Sequence, residues 1–161
     1  MSLINHRRRS AIWHGASQKV GQSAAPLFLD RIDIQCEISA LPFKELSKAA
    51  PGEPSAKIRE RVIAARALQT ARFKDVPGVH CNAQMTERMI HQYAEPDEQG
   101  LDLMRLAMER LSLSARAYSR ILKVARTIAD LAASPTVRPE HISEAITYRQ
   151  LDRSDWAERG L

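Results

Sequence analysis

From Arg31 to Ile38 apolar and polar residues alternate. Ile32, Ile34, Cys36 and Ile38 fall on one side, and Asp33, Gln35 and Glu37 on the other. A period of two predicts a half-buried strand, which Pro42 would end. A single strand has no stability of its own in water, and no convincing second strand follows. The pattern therefore predicts a sheet that lies elsewhere, with this chain as a piece of a larger fold.

Beyond residue 43 the period becomes helical. "SAKIRERVIAARALQTARF" sets Ile58, Val62, Ala65 and Gln69 along one side, behind Pro54, which suits a first helical turn. "KDVPGVHCNAQ" (74–84) is a loop with a Pro-Gly turn. "MTERMIHQYA" predicts a short helix capped by Thr86. "PDEQGLDLMRLAMERL" gathers Leu103, Met104, Leu106, Ala107 and Leu111 on an apolar side. "LSLSARAYSRILKVARTIADL" (111–131) is a long helix. Its core side carries Ala117, Ile121, Val124, Ala125, Ile128 and Ala132, with Tyr118, Leu122 and Ala129 at the margin. A Pro-containing loop and a helix with Ile142, Ala145 and Ile146 follow. About five helices predict a mainly α body. Its expected core packs Ile121, Val124, Ala125 and Ile128 on Leu103, Leu106, Ile142 and Ile146.

Residues 1–25 have no period and bear Arg7, Arg8 and Arg9. A flexible solvated tail is the preferred reading, with nucleic-acid contact as the other. Residues 26–42 hold the strand segment, 43–153 the helical domain, and 154–161 a polar tail. Across the 161 residues the net charge is +5, and 18 of the 24 basic residues are arginine. Arginine grips carboxylates and phosphates bidentately, so anionic partners enter consideration. Cys36 and Cys81 lack metal-ligand or disulfide spacing; no metal site is expected, and a reducing cytoplasm is the default. No apolar run approaches membrane-spanning length, and no hydrophobic signal core opens the chain.

Charge position narrows this further. On the long helix Arg116, Arg120 and Lys123 share one side, with Arg126 beside them. For Arg120, Lys123 and Arg126 a solvated face is preferred, with phosphate or nucleic-acid contact by Arg120 and Lys123 as the alternative. Arg116 stands apart. Ser114 is a good N-cap, so Arg116 is second in a helix whose first turn holds no acid. A cation there opposes the helix dipole, and a bound anion would relieve it. A carboxylate from another helix, or water, would serve as well. Arg31 stands between Asp30 and Asp33. It either pairs with one of them or reaches for a partner's phosphate.

"PLFLDRIDIQCEI", "LSARAYSRILKVARTIADL" and "HISEAITYRQLDR" together resemble the C-terminal part of the magnesium-chelatase-like AAA+ ATPases, in the competence-associated branch. The resemblance covers residues 26–153 and includes the stretch "GEPSAKIRERVIAARALQTARF". It implies a helical AAA+ lid preceded by the last strand segment of the α/β core. It also implies ring assembly with neighbouring AAA+ subunits, and ATP-driven remodelling such as DNA branch migration in natural transformation. Arg31, in "LDRID", matches the arginine finger that reaches a γ-phosphate across a subunit interface. Arg116, in "LSARA", matches the sensor-2 arginine of the lid. Complete members carry GxxxxGK[ST] and an acidic Walker B strand. This chain has neither, and shows "VGQSAAPLFLDRID" where the family runs "RLSGPLLDRID". ATP and Mg2+ are thus expected in the complete protein and neither on this chain alone, which is expected to be inactive by itself. The competing expectation is a stand-alone basic module that binds DNA or docks on a protein.

Overall fold

The structure, a computed structural model, describes residues 31–36 and 51–149. The expected tails at 1–25 and 154–161, and the strand positions Glu37 and Ile38, lie outside the described residues. Five α-helices run through the described part: α1 Ser55–Arg72, α2 Glu87–Tyr93, α3 Glu98–Arg110, α4 Ala115–Leu131 and α5 Pro139–Thr147. A 3-10 turn at Asn82–Gln84 precedes α2.

Local chemistry sets these boundaries. Ser114 caps α4 by accepting a hydrogen bond from the Ala117 N–H at 3.1 Å, and Asp97 caps α3 by accepting from the Gly100 N–H at 2.8 Å. Thr86 occupies the N-cap of α2, but its side chain makes no capping bond. Both α3 and α4 end without glycine. Ser112 and Ala133 take left-handed φ values of 46° and 52°. The next residues fold back, Leu113 N–H donating to Met108 O and Ser134 N–H to Ala129 O. These are Schellman closures, which satisfy the last carbonyls of a helix.

Helix α4 is the centre of the molecule. It packs on α5 most extensively, and on α1, α2 and the 3-10 turn, while α3 covers α5. Ile121, Ala125, Ala129 and Ile142 are fully buried, joined by Ile90, Met104, Leu122 and Ala145. Val124, Ile128, Leu103 and Ile146 pack at the edge of this core. The expected core is therefore present with two corrections. Leu106 is 40% exposed, because α3 presents Gly100, Met104 and Ala107 inward instead. Ala132 is exposed, while Leu122 and Ala129 are buried, because neighbours surround α4 on more than one side.

Helix α1 departs further. Ala65 and Gln69 are buried, but Ile58 and Val62 on the same stripe are 43% and 48% exposed. Among the described residues, the buried positions of α1 lie in its second half.

The basic stripe also needs correction. Arg126 is buried rather than solvated. It sits in an ionic cluster around Asp130, whose carboxylate is sealed from solvent. Asp130 accepts two bonds from Arg72, at 2.5 and 2.9 Å, and further bonds from Arg126 and Asn82. Arg126 also donates to the carbonyls of Ser134 and Pro135, so the cluster ties α1, α4 and the loop before α5. Burial pushes the Asp130 carboxyl up, but the bonds from Arg72 and Asn82 and the charges of Arg126 and Arg72 outweigh it. The result lies below the ordinary carboxylate range. Burial, with the charge of Arg72, draws Arg126 down despite Asp130.

The predicted strand is not there at 31–36. The segment is a turn and a bend followed by irregular chain, and Ile34 is 52% exposed. Alternation marks two faces, but a strand needs a ladder partner, and this segment instead bonds to the helices.

Candidate functional site

Arg31 and Arg116 are far apart in sequence, and α4 brings their surroundings together. Arg116 is the second residue of α4 and exposed, two residues beyond the Ser114 N-cap. The first turn contains no acid.

One turn further along α4, Arg120 faces the segment that carries Arg31. Its guanidinium donates to the Arg31 carbonyl and pairs with the Asp33 carboxylate. Arg120 is 26% exposed in this pairing and Asp33 52%. Two contacts from the residues just after α5 complete the attachment. Arg149, fully buried, donates from Nη1 to the Ile32 carbonyl at 2.9 Å, and the Gln35 N–H donates to the Tyr148 carbonyl at 2.9 Å. Asp33 is thus taken by Arg120 rather than by Arg31, and the Arg31 residue is exposed. Asp30 lies outside the described residues.

Arg120 and Arg116 are four residues apart on one helix, about 6 Å of axial rise. The peptide of Arg31 is therefore held one helical turn from Arg116. Lys123, the next basic residue, donates to the Ala83 carbonyl in the 3-10 turn at 3.1 Å. The stripe read as a solvated face is largely an internal fastening: Arg120 holds the 31–33 turn, Lys123 holds Ala83, and Arg126 is in the buried cluster. Sequence reasoning missed Arg149 and Asp33 as fastening residues. Their only trace was the recurrence of arginine and aspartate in "LDRID" and "TYRQ", which names no partner.

Among the described residues no three His, Cys, Asp or Glu side chains gather closely enough to hold a metal ion. Cys36 and Cys81 are free thiols. No described helix is long and apolar enough to cross a membrane.

Comparison with known proteins bears on what this arrangement serves. Residues 52–149 match the family model described as magnesium chelatase, subunit ChlI C-terminal. The uncharacterised protein YifB of Escherichia coli K12 is 39% identical over 127 residues, which cover 78% of this chain and 24% of YifB. The competence protein ComM of Haemophilus influenzae is 36% identical over 127 residues, with the same two coverages. The uncharacterised protein Rv2897c of Mycobacterium tuberculosis is 30% identical over 131 residues, 81% of this chain and 25% of that protein. The chain spans about a quarter of the length of these relatives. With five helices in the matched region and the family pattern running through it, the chain belongs to the magnesium chelatase ChlI C-terminal family.

Proposed function

We propose that this chain is the helical lid of an ATP-hydrolysing AAA+ subunit, and that it supplies two arginines to nucleotide. Arg31 is the finger that reaches the γ-phosphate bound by a neighbouring subunit. Arg116 is the sensor that binds phosphate from the lid. The observation that carries the reading is Arg116 itself: exposed in the first turn of α4, behind a Ser114 cap, in a turn that holds no acid. A helix start that also bears an arginine favours a phosphate twice over, through its dipole and through a bidentate side chain.

ATP brings the phosphoryl group and its magnesium ion, and the phosphate loop that cradles them belongs to the rest of the complete subunit. The arginines of this chain spread the charge that grows on the phosphoryl oxygens as the bond to the leaving group breaks. Fingers of this kind are worth roughly 10³–10⁵ in rate in other phosphoryl-transfer enzymes. The work driven by hydrolysis is remodelling of DNA, as branch migration during uptake of foreign DNA. This is supported by similarity to a protein named for competence.

The test is a mixing experiment with complete subunits. Subunits carrying Arg31→Ala and an intact phosphate loop are combined with subunits carrying Arg31 and a dead phosphate loop. Turnover should return in the mixture. No return, with rings confirmed, would mean that Arg31 does not act across the interface. Migration of a four-way DNA junction, lost in Arg31→Ala, tests the DNA reading separately. The alternative of a stand-alone DNA-binding module is weakened by the partners that Arg120, Lys123 and Arg126 find inside the molecule. Steeply salt-dependent DNA affinity of this chain alone would restore it.

A further inference from the structure

We propose that Arg120 is a positioning residue: by gripping the Arg31 carbonyl and the Asp33 carboxylate together, it locks the Arg31 backbone to the helix that carries Arg116. The proposal rests on the nucleotide reading of Arg31 and Arg116 given above.

The geometry makes the case. A peptide unit is planar, so fixing a carbonyl fixes the plane that begins at that residue's Cα. Arg120 fixes the plane after Arg31, and Arg149 fixes the plane after Ile32. Two successive planes are then set by two guanidinium groups, one from α4 and one from Arg149 just past α5. The Cα of Arg31 lies in the first of these planes, so the point from which its side chain departs is set with them. Asp33 closes the turn from its other side.

Stability does not account for the Arg120 pair. Both partners are partly exposed, and exposed ion pairs contribute little. Nor is the pair needed to build the core, which lies on the other side of α4 among Ile121, Ala125 and Ala129. What the pair does accomplish is mechanical. Any rotation of α4 that moves Arg116 must carry the Arg31 turn with it. The finger and the sensor are thereby one rigid unit, and a change at one phosphate site is transmitted to the other through Arg120.

In complete subunits, Arg120→Ala should lower turnover by about 10²-fold, the cost of small misplacement of a catalytic group, with KM for ATP unchanged. The double variant Arg31→Ala with Arg120→Ala should be no slower than Arg31→Ala alone, since residues acting through one another are not additive. Arg120→Ala subunits should be rescued in mixtures in the same direction as Arg31→Ala subunits. The reversed pair, Arg120→Asp with Asp33→Arg, should recover turnover over Arg120→Asp alone. In this chain by itself, amide exchange at Gln35 should accelerate in Arg120→Ala while α4 and α5 stay protected. If Arg31→Ala slows turnover but Arg120→Ala does not, or adds to it, the positioning role is overturned and the finger reading stands. If Arg31→Ala has no effect, the finger reading fails and the positioning role with it. If Gln35 protection survives Arg120→Ala, the clamp is overturned whatever the activity. Should Arg120→Ala prevent ring assembly, the reversed pair and the exchange measurement still decide.

Discussion

Arg72 and Asp130 lie 58 residues apart and meet in a two-bond grip, Nη2 to Oδ1 at 2.5 Å and Nη1 to Oδ2 at 2.9 Å. The carboxylate is wholly buried, and Arg126 and Asn82 supply its remaining partners. Removing one member of a buried ionic group leaves the others uncompensated, typically at a cost of about 3–5 kcal/mol. Asp130→Asn should therefore lower stability by this order in urea unfolding. A loss under one kcal/mol would show that Arg72 and Arg126 find other acceptors.

The same residue gives stability a pH dependence. Its native value is depressed, against about 3.9 in an unfolded chain. The native state therefore binds fewer protons than the unfolded state at acid pH. The stabilisation is complete above the unfolded value and is lost as pH falls through the native one. Melting temperature should drop below about pH 4 in the natural chain, and the Asp130→Asn variant should show a flatter acid limb. Parallel acid limbs in the two proteins would assign the effect to other carboxylates.

Ile121 and Ile63 are the same residue type in opposite settings, the first fully buried and the second 57% exposed. Ile121→Ala should cost about 2–5 kcal/mol through lost burial and a cavity. Ile63→Ala should stay within about half a kcal/mol. Chemical denaturation of the two variants side by side measures the contrast directly.

Ala133 holds a φ of 52° at the end of α4. A left-handed residue with a side chain is disfavoured by about 1–2 kcal/mol, and glycine removes that strain at some entropic cost to the folded state. Ala133→Gly should raise the melting temperature, an uncommon direction for a substitution. Since the Ser134 N–H bond to Ala129 closes the same turn, a fall in melting temperature would mean that the turn is less strained than its angle indicates.

Arg116→Ala offers a separation of roles. The first turn of α4 contains no acid, and Arg116 is exposed there. This chain carrying the variant should stay within about half a kcal/mol of the natural one, as exposed positions do, whereas turnover of the complete protein should fall sharply. A large loss of stability would place Arg116 in the scaffold instead.

Much of the helical order was legible in the sequence, because its signals are local. Pro54 and Ser114 mark helix starts, and the spacing of Ile121, Ala125 and Ala129 marks a buried face. The nucleotide roles assigned to Arg31 and Arg116 came from motif resemblance and rest on it still. What escaped was information held between distant residues. Periodicity put Ile58 and Val62 on the stripe of Ala65, but it does not say how far a neighbouring helix extends. Alternation at 32–36 gave two faces, yet strand formation depends on a ladder partner. Arg126 looked like a surface cation because two of its acceptors, the Ser134 and Pro135 carbonyls, are placed by the turn that ends α4, and the third, Asp130, is buried by Arg72 from α1. Arg120 escaped for the same reason, as its partner Asp33 lies 87 residues away.

The bond from Arg149 to the Ile32 carbonyl spans 117 residues. During synthesis at 5–20 residues per second, the second partner follows the first by roughly 6–23 s. The Arg31 turn is therefore among the first parts of the described chain to leave the ribosome and among the last to be seated. A nascent chain holds this turn through Arg120 alone until Arg149 is made. Premature termination between Leu131 and Thr147 would yield a protein with four of its five described helices complete and the Arg31 turn held at one point instead of two.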